Sequence, residues 1–246
     1  MKTKICLVLT APTLKEDLAL VELYRPWIDL VELRVDCLTQ DERLHFRRFP
    51  EAANIPCILT IRRNTDGGKF LEGEGSRIAL MARGLAFADT DRRKNFAYVD
   101  LEEDLQVPSI EEAARAFGTR IIRSVHNMTG PETRIKERVQ KLRRTNDEIA
   151  KIAFMPRSLS DVTNLFREAK HCTGMEYILI AMGPFGLPSR VLAPVLGSLI
   201  TFASAEETTR NAQNSLGQLD PVTLNEIYHI RSISEKTSIY GVTGNP

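Results

Sequence analysis

Lys151 is the side chain with the clearest potential for chemistry in this sequence. It stands in the middle of the short apolar run 148–155, which Pro156 closes. Because side chains alternate along a strand, Lys151 shares one face of that run with Ala153 and Met155. A buried ammonium is costly, and a desolvated lysine tends toward the neutral amine that attacks carbonyls. The pattern predicts Schiff-base chemistry. The structural alternative is a lysine at a strand edge or one paired with a buried carboxylate.

Three further residues could complete such chemistry. His126 ends a strand-like run, and an imidazole can take a proton from carbon and return it to a leaving hydroxyl. Glu102 ends the preceding run and can accept a hydrogen bond from the second ring nitrogen. Arg190 follows a turn beside a predicted helix N-terminus and can bind a carboxylate through two hydrogen bonds. With Lys151, these groups predict dehydration or aldol-type cleavage of a hydroxy-ketone acid.

The elements that carry these residues alternate between strand and helix. Apolar and alternating runs predict eight strands, at 5–9, 30–36, 57–62, 97–102, 120–126, 148–155, 177–182 and 198–203. Helix-like segments follow them, with bounds predicted at 14–24, 77–88, 110–117, 160–170 and 221–231. Eight strands alternating with helices are typical of a single-domain (β/α)8 TIM barrel, which we expect to span residues 1–236.

A barrel of this kind gives the polar strand residues a common location. The strand face away from the helices points inside, and active sites lie at the C-terminal ends of the strands. Eight ionisable or hydroxyl residues are predicted inward and near those ends: Glu32, Arg34, Arg62, Asp100, Glu102, Ser124, His126 and Lys151. Buried charges must be paired, so five strands that deliver them to one mouth favour an active site over a purely structural role.

Composition limits the remaining function classes. The 246 residues are 43% hydrophobic and 26% charged with a formal net charge of +1, which gives no general attraction to nucleic acid or to a membrane surface. No signal peptide and no run long enough to cross a bilayer are recognised, so we expect a cytoplasmic protein. The four cysteines are scattered without a C-x-x-C pair, which predicts neither disulfides nor a zinc site. The glycines between 64 and 75 lack phosphate-loop spacing and are interpreted as turns, with a movable lid as the alternative.

Seven short motifs follow one another along the chain in a specific order. They are Glu32-Leu33-Arg34-Val35-Asp36, Thr60-Ile61-Arg62, Asp100-Leu101-Glu102, Ser124-Val125-His126-Asn127, Lys151-Ile152-Ala153, Met182-Gly183 through Gly186 to Ser189-Arg190, and Gly217-Gln218. Each is weak alone, but their order, spacing and strand placement together are specific. The set resembles the type I 3-dehydroquinate dehydratases of the shikimate pathway, and this resemblance covers nearly the whole chain.

The resemblance implies a reaction and a division of roles. Lys151 would form a Schiff base with C3 of 3-dehydroquinate. His126 would take a proton from C2 and deliver it to the C1 hydroxyl, giving 3-dehydroshikimate and water, with Glu102 as the third catalytic residue. Within the binding set, Glu32, Arg34 and Arg62 would contact ring hydroxyls, while Arg190 and Gln218 would hold the carboxylate side under a closing loop. The whole set of expected substrate-binding residues is Glu32, Arg34, Arg62, Asp100, Met182, Arg190, Ser215 and Gln218. No metal or diffusible cofactor would be needed.

The chain departs from the family pattern at three places, one of which is the stretch Ser204–Gln213, which is longer than usual and could change how the lid closes. The last loop reads Asn214-Ser215-Leu216-Gly217-Gln218 where the family usually has Ser-Ala-Pro-Gly-Gln, which leaves Asn214 and Ser215 as alternative sources of the lid contact. Asp66 stands where a glutamate is common, with the same charge and a shorter reach.

Residues 237–246 form a separate tail in this prediction. Their sequence resembles the opening strand and turn of shikimate dehydrogenase, an enzyme that some organisms fuse to the dehydratase. The alternatives are part of a bifunctional pair, fused or cognate, and a frayed terminus. A homodimer is also compatible with the sequence.

Two rival functions remain open at this point. A class I aldolase also uses a barrel lysine, but it would need a phosphate-binding turn, for which residues 183–186 are the candidate. A barrel kept only as a scaffold for a fusion partner is the non-enzymatic rival. The presence of Lys151, His126 and Glu102 together argues against the scaffold, because a retired site need not keep all three.

Overall fold

The barrel strands lie close to where the sequence pattern predicts them. The computed structural model describes residues 2–86, 89–205 and 217–240. Its strands are β1 Lys4–Leu9, β2 Leu30–Arg34, β3 Cys57–Thr60, β4 Tyr98–Glu102, β5 Arg120–Asn127, β6 Ile149–Phe154, β7 Tyr177–Ala181 and β8 Ile200–Ser204. All pairings between them are parallel, in the order β8-β1-β2-β3-β4-β5-β6-β7. The predicted single-domain (β/α)8 TIM barrel is confirmed.

The seam between β7 and β8 is closed at the bottom of the barrel. The Leu199 amide donates to the Tyr177 carbonyl at 2.8 Å. The Ser198 hydroxyl accepts from the Leu179 amide at 3.2 Å and donates to the Ile200 carbonyl at 3.1 Å. These bonds join the first and last neighbours of the sheet, so the barrel is nearly closed.

Helices cover the outside of this barrel. The α-helices in the described ranges are α1 Leu14–Tyr24, α2 Phe49–Ala53, α3 Glu74–Leu85, α4 Pro108–Ala116, α5 Ile135–Leu142, α6 Leu159–Ala169, α7 Leu187–Val191 and α8 Ala193–Leu196. Two of these helices begin with N-terminal capping residues. Thr13 accepts a hydrogen bond from the Glu16 amide ahead of α1, and Ser158 forms a capping box with Asp161 ahead of α6.

Strand alternation divides the apolar residues into an inner and an outer set. Outward residues such as Leu33 and Leu59 pack under the helices in one large cluster. Inward residues near the start of the strands form an apolar floor, made of Leu30, Ile58, Tyr98, Ile122, Ile149, Ile178 and Ile200. The polar residues follow at the next inward positions, and this spacing places them above the floor, toward the C-terminal mouth.

Several element boundaries differ from the prediction by a few residues, and two of the differences have a clear physical cause. β2 stops at Arg34, because Val35–Cys37 forms a 3-10 turn that directs Asp36 toward the loop after β3. There the carboxylate of Asp36 accepts from the backbone amides of Arg62 and Lys69. The last predicted helix is broken into a π-helical segment, Thr223–Ile227, and a 3-10 turn. His229 between them has a φ of 49°, which a continuing helix cannot adopt.

A buried ion pair lies on the outer face of β5. The guanidinium of Arg123 is 2.8 Å from the Glu148 carboxylate and 3.0 Å from Glu111 of α4. The side chains of Arg123 and Glu148 are both 0% exposed. Since neither ion reaches water, each depends on its partner to offset the lost hydration.

Replacing Arg123 with methionine should therefore destabilise the fold. Glu148 would lose its closest cation, and breaking a buried pair on one side costs about 3–5 kcal/mol. Urea unfolding measures the change in the free energy of unfolding. The control is Arg93→Met, whose side chain is 88% exposed beside Asp91 and whose loss should leave the free energy of unfolding nearly unchanged. Equal effects of the two substitutions would contradict the structural role of Arg123.

Candidate active site

A cavity of about 180 Å3 opens at the C-terminal ends of the strands. Eight of the predicted site residues line it: Glu32, Arg34, Arg62, His126, Lys151, Met182, Arg190 and Gln218. The volume is below the roughly 300–1,000 Å3 typical of sites for drug-sized ligands, so the cavity suits a small polar molecule. Ser215 and Asn214 lie outside the described residues, and their lid contact stays a prediction.

Lys151 lies at the bottom of this cavity and is 4% exposed. Its Nζ is 2.8 Å from Asp100 Oδ2 and 3.4 Å from Glu32 Oε1. The ammonium also lies 4.5 Å from the centroid of the Phe202 ring, within reach of a cation–π interaction. Lys151 is thus both directed into the cavity and paired with buried carboxylates, which combines the two alternatives that the sequence left open.

Arg62 connects the carboxylates below the cavity. Its two terminal nitrogens are 2.8 Å from Asp100 Oδ1 and 2.7 Å from Glu102 Oε1. Ser124 Oγ donates to the same Asp100 oxygen at 2.5 Å. Burial alone would raise the pKa of Asp100, but Arg62 and Lys151 hold the pKa well below its usual range. Asp100 consequently keeps its negative charge next to the lysine.

This network gives Asp100 a structural role. The carboxylate is 1% exposed and does not line the cavity. Both of its oxygens are occupied, one by Lys151 and the other by Arg62 and Ser124. Asp100 therefore holds Lys151 and Arg62 in place in this structure, and its contact with substrate stays a prediction.

The predicted hydrogen bond between Glu102 and His126 is wrong, because Glu102 bonds to two arginines instead. One oxygen of Glu102 is bonded to Arg62, and the other is 2.7 Å from Arg77 of α3. Two guanidinium groups bind a carboxylate more strongly than a neutral imidazole does. Among the described residues, the buried Nδ1 of His126 has no hydrogen-bond partner. Sequence spacing placed both residues at the barrel mouth but could not show that Arg77 would reach Glu102.

His126 lies half-buried at the cavity wall. Burial lowers the pKa of its imidazole well below the usual value, and the cations of Arg62 and Lys151 lower it further, against a smaller opposing effect of Asp100. The ring is therefore neutral at physiological pH. A neutral imidazole is the form that can accept a proton.

Arg190 reaches the cavity from α7. The backbone before it is fixed by Ser189, whose hydroxyl donates to the Gly186 carbonyl at 2.7 Å and accepts from the Ala181 amide at 2.9 Å. A Cβ at Gly186 would lie 2.1 Å from the Ala181 carbonyl oxygen, so this close turn requires glycine. Burial lowers the pKa of Arg190 to about 10. The guanidinium still carries its charge at neutral pH.

The loop after β3 folds over one side of the mouth. Asp66 and Gly67 line the cavity, and Asp66 is held by Arg63 at 2.7 Å. A Cβ at Gly68 would lie 2.2 Å from the Arg62 carbonyl oxygen, so the loop packs directly on the backbone that carries Arg62. This geometry agrees with the interpretation of these glycines as turn residues.

Several cavity residues were missed by the sequence reasoning. They share an inward position on β1, β7 or β8 or a place in the loops after β1 and β5: Val8, Thr10, Met128, Ile180, Phe202 and Ser204. Most could have been found by extending the two-residue alternation along β1, β7 and β8 once a barrel was predicted. The search for ionisable groups passed over them because they are apolar or carry only a hydroxyl.

The described ranges contain neither a metal-binding cluster nor a membrane-spanning helix. Residues 2–86, 89–205 and 217–240 contain no group of three or more His, Cys, Asp or Glu side chains arranged to hold a metal ion. In the same ranges, no helix is long and apolar enough to span a membrane.

The fold and the site define the class of protein. A TIM barrel that directs a buried amine, a neutral imidazole and several guanidinium groups into one cavity is an enzyme barrel. The family model for type I 3-dehydroquinase matches residues 5–235. The chain belongs to this family, as predicted, and the family's enzymes are hydro-lyases.

Individual relatives agree with this assignment. A 3-dehydroquinate dehydratase of Coxiella burnetii is 29% identical over 228 residues, covering 92% of each chain. The solved structure of the 3-dehydroquinate dehydratase of Geobacillus kaustophilus has the same fold, with a TM-score of 0.79 at 21% identity over 94% of this chain and 91% of that one. A Schizosaccharomyces pombe structure, described as dehydroquinate dehydratase and shikimate dehydrogenase from AroM, matches with a TM-score of 0.71 and 23% identity. That match covers 92% of this chain and 44% of that one.

The lowered pKa of His126 predicts a pH dependence of stability. The imidazole is neutral in the folded protein, whereas the unfolded chain binds a proton below about pH 6.5. Stability should therefore fall as the pH drops below that value toward the folded pKa. We expect the urea midpoint of the wild type to fall more steeply between pH 7 and pH 5 than that of His126→Asn, which has no titrating ring. Parallel pH profiles for the two proteins would contradict a neutral buried His126.

Proposed function

We propose that this chain removes water from 3-dehydroquinate to give 3-dehydroshikimate through an imine on Lys151. The observation that carries the proposal is the buried Lys151 amine, set 2.8 Å from Asp100 in a cavity that His126 also lines. Membership of the type I 3-dehydroquinase family supplies the substrate and the pathway.

The first step is binding of the substrate above Lys151. Arg190 and Gln218 lie on the same side of the cavity as β8, and Arg190 donates to the Phe202 carbonyl at 3.5 Å. A guanidinium in a desolvated wall suits a carboxylate. Glu32, Arg34 and Arg62 line the opposite side and suit ring hydroxyls, because their charged groups are donors and acceptors fixed by neighbours.

The second step forms the imine. Lys151 attacks the C3 carbonyl after its ammonium has given up a proton, and the carbonyl oxygen leaves as water. The resulting iminium carries one positive charge at the position that the ammonium held. Asp100, which stays ionised, and Glu32 stabilise that charge from 2.8 Å and 3.4 Å at the nitrogen. The iminium then withdraws electrons from the neighbouring C2–H bond.

The third step is the elimination. Neutral His126 takes the proton from C2, and the electron pair of that bond forms the new carbon–carbon double bond through the enamine. The imidazolium then gives a proton to the C1 hydroxyl, which leaves as water. Hydrolysis of the conjugated imine consumes one water, releases 3-dehydroshikimate and restores Lys151. The sum of all steps is the loss of a single water from the substrate.

Trapping the imine tests the function and the mechanism together. Mixing the protein with 3-dehydroquinate and borohydride should add the reduced substrate mass to the peptide that contains Lys151, while an unreduced sample develops the enone absorbance of 3-dehydroshikimate. Lys151→Arg is the matched control, since it keeps a cation near Asp100 but cannot form the imine. We expect neither adduct nor turnover from it. Enone formation by the wild type without an adduct would remove the covalent role and leave the reaction.

Replacing His126 with alanine should separate the two chemical steps. Turnover should fall by about 10²–10⁴-fold, the usual contribution of a general acid–base group. The imine should still be trapped at Lys151, because the amine and its carboxylate partners are untouched. Steady-state assays and intact-protein mass measure the two effects. Turnover that survives near the wild-type rate would exclude His126 as the proton carrier.

The class I aldolase remains the chemical rival, and a competition assay separates the two. A phosphorylated ketose or aldehyde that blocked imine trapping more effectively than 3-dehydroquinate would favour an aldolase. We expect no such competition, because the cavity wall contributed by β2 and β3 carries Glu32, Arg34 and Arg62, which match a polyhydroxy acid.

We propose that residues 237–246 are related to the opening of a shikimate dehydrogenase, and that such an enzyme is the cognate partner. The S. pombe match joins both activities in one chain, which supports this arrangement. Residues 237–240 are described without helix or strand, and residues 241–246 lie outside the described ranges. Co-purification of the chain with its organism's shikimate dehydrogenase, and its loss when residues 237–246 are removed, would test the partnership.

A further inference from the structure

Ser204 is a buried serine at the cavity wall that takes no part in the proposed dehydration steps. It is the last residue of β8, and it points inward because it follows Ile200 and Phe202 by two-residue steps. Only 3% of the residue is exposed, yet it lines the cavity. Its position is fixed by the backbone, since its amide donates to the Leu219 carbonyl at 3.0 Å.

The Ser204 hydroxyl has no hydrogen-bond partner among the described residues. A buried hydroxyl without a partner costs free energy. When a substrate fills the cavity that Ser204 lines, it can supply the missing acceptor. The hydroxyl must then bond to the substrate, or binding has to bear the cost of its desolvation.

The surroundings of Ser204 decide which substrate group it meets. The neighbouring wall on β7, β8 and β1 is largely apolar, formed by Ile180, Met182, Phe202 and Val8, with Thr10 directly after β1 as a second hydroxyl. Gln218 is the residue next to Leu219, which bonds to the Ser204 amide, and Arg190 is bonded to the carbonyl of Phe202, two residues before Ser204. The hydroxyl therefore lies on the same side as the two groups assigned to the carboxylate.

The geometry points to Ser204 as a further substrate-binding residue, whose hydroxyl donates to the carboxylate of the substrate beside Arg190 and Gln218. This inference rests on the proposed function, because the carboxylate belongs to the proposed substrate. A hydroxyl donor gives directional recognition of a carboxylate and adds no charge to the cavity.

Ser204→Ala tests the contact, since it removes one oxygen and keeps the strand. A lost hydrogen bond to a charged group should lower kcat/KM for 3-dehydroquinate by about 10–100-fold, mainly through KM, because the contact exists before and during the reaction. The same ring ketone without its carboxylate serves as the probe. Its half-saturating concentration for borohydride trapping on Lys151 should differ by less than about twofold between wild type and variant.

The control variant is Ser198→Ala, a serine buried at the other end of the same strand segment. Ser198 bonds to Leu179 and Ile200 at the barrel seam and does not line the cavity. We expect it to lower the thermal midpoint and to leave KM for 3-dehydroquinate within about twofold of the wild type. A changed KM in Ser204→Ala with an unchanged melting curve therefore reports binding and not folding.

The outcomes separate this inference from the function on which it rests. If wild-type protein neither turns over nor traps 3-dehydroquinate, the proposed function fails. If the wild type is active and Ser204→Ala has the same kcat/KM within about twofold, the function stands and the Ser204 contact is overturned. Equal losses with the substrate and with the carboxylate-free ketone would also overturn it, because the hydroxyl would then contact another part of the ring.

Discussion

The ion pair between Lys151 and Asp100 is the interaction on which the rest of the site depends. Lysine must lose a proton before its amine can act as a nucleophile. While it is protonated, an ammonium that is only 4% exposed needs a compensating negative charge. Asp100 supplies that charge from 2.8 Å, and Arg62 on its other oxygen keeps Asp100 ionised. Removing either cation would leave a buried carboxylate poorly compensated, so the chemistry and the stability of the barrel interior share the same residues.

Supporting residues outside the cavity hold this arrangement in place. Glu102 joins Arg62 to Arg77, a fully buried arginine of α3 that also bonds to the Ile61 carbonyl at 3.0 Å. Asp36 fixes the Arg62 backbone from the other side. The guanidinium of Arg62 is thus positioned by α3 and by the turn after β2. Fixed donors need little reorganisation when the substrate binds, which is the usual advantage of a preorganised site.

The positions of the site residues could be predicted from local sequence patterns, whereas their hydrogen-bond partners could not. The two-residue alternation of β2 and β6 was enough to place Glu32, Arg34 and Lys151 inside a barrel, because the strand period is a local property. Partners were harder to predict. Whether Glu102 bonds to His126 or to Arg77 depends on how far a helix side chain reaches into the barrel, and spacing along the chain does not contain that distance. The break in the last helix could not be predicted for the same reason. Asn225 of the π-helical segment donates to the Trp27 carbonyl, which is remote in sequence.

The charge balance of the interior explains why a lysine imine suits this network. The iminium has the same single positive charge as the ammonium that it replaces, so Asp100 and Glu32 face one cation before and after the imine forms. The substrate brings one carboxylate, and Arg190 brings the matching cation from the wall beside β8. A neutral His126 adds no charge until it takes the C2 proton, at the moment when the enamine loses the iminium charge. The proton transfer therefore moves one positive charge from the lysine nitrogen to the imidazole and leaves the total unchanged. A barrel that buries its ions needs this constancy, because buried charges are only weakly screened by solvent.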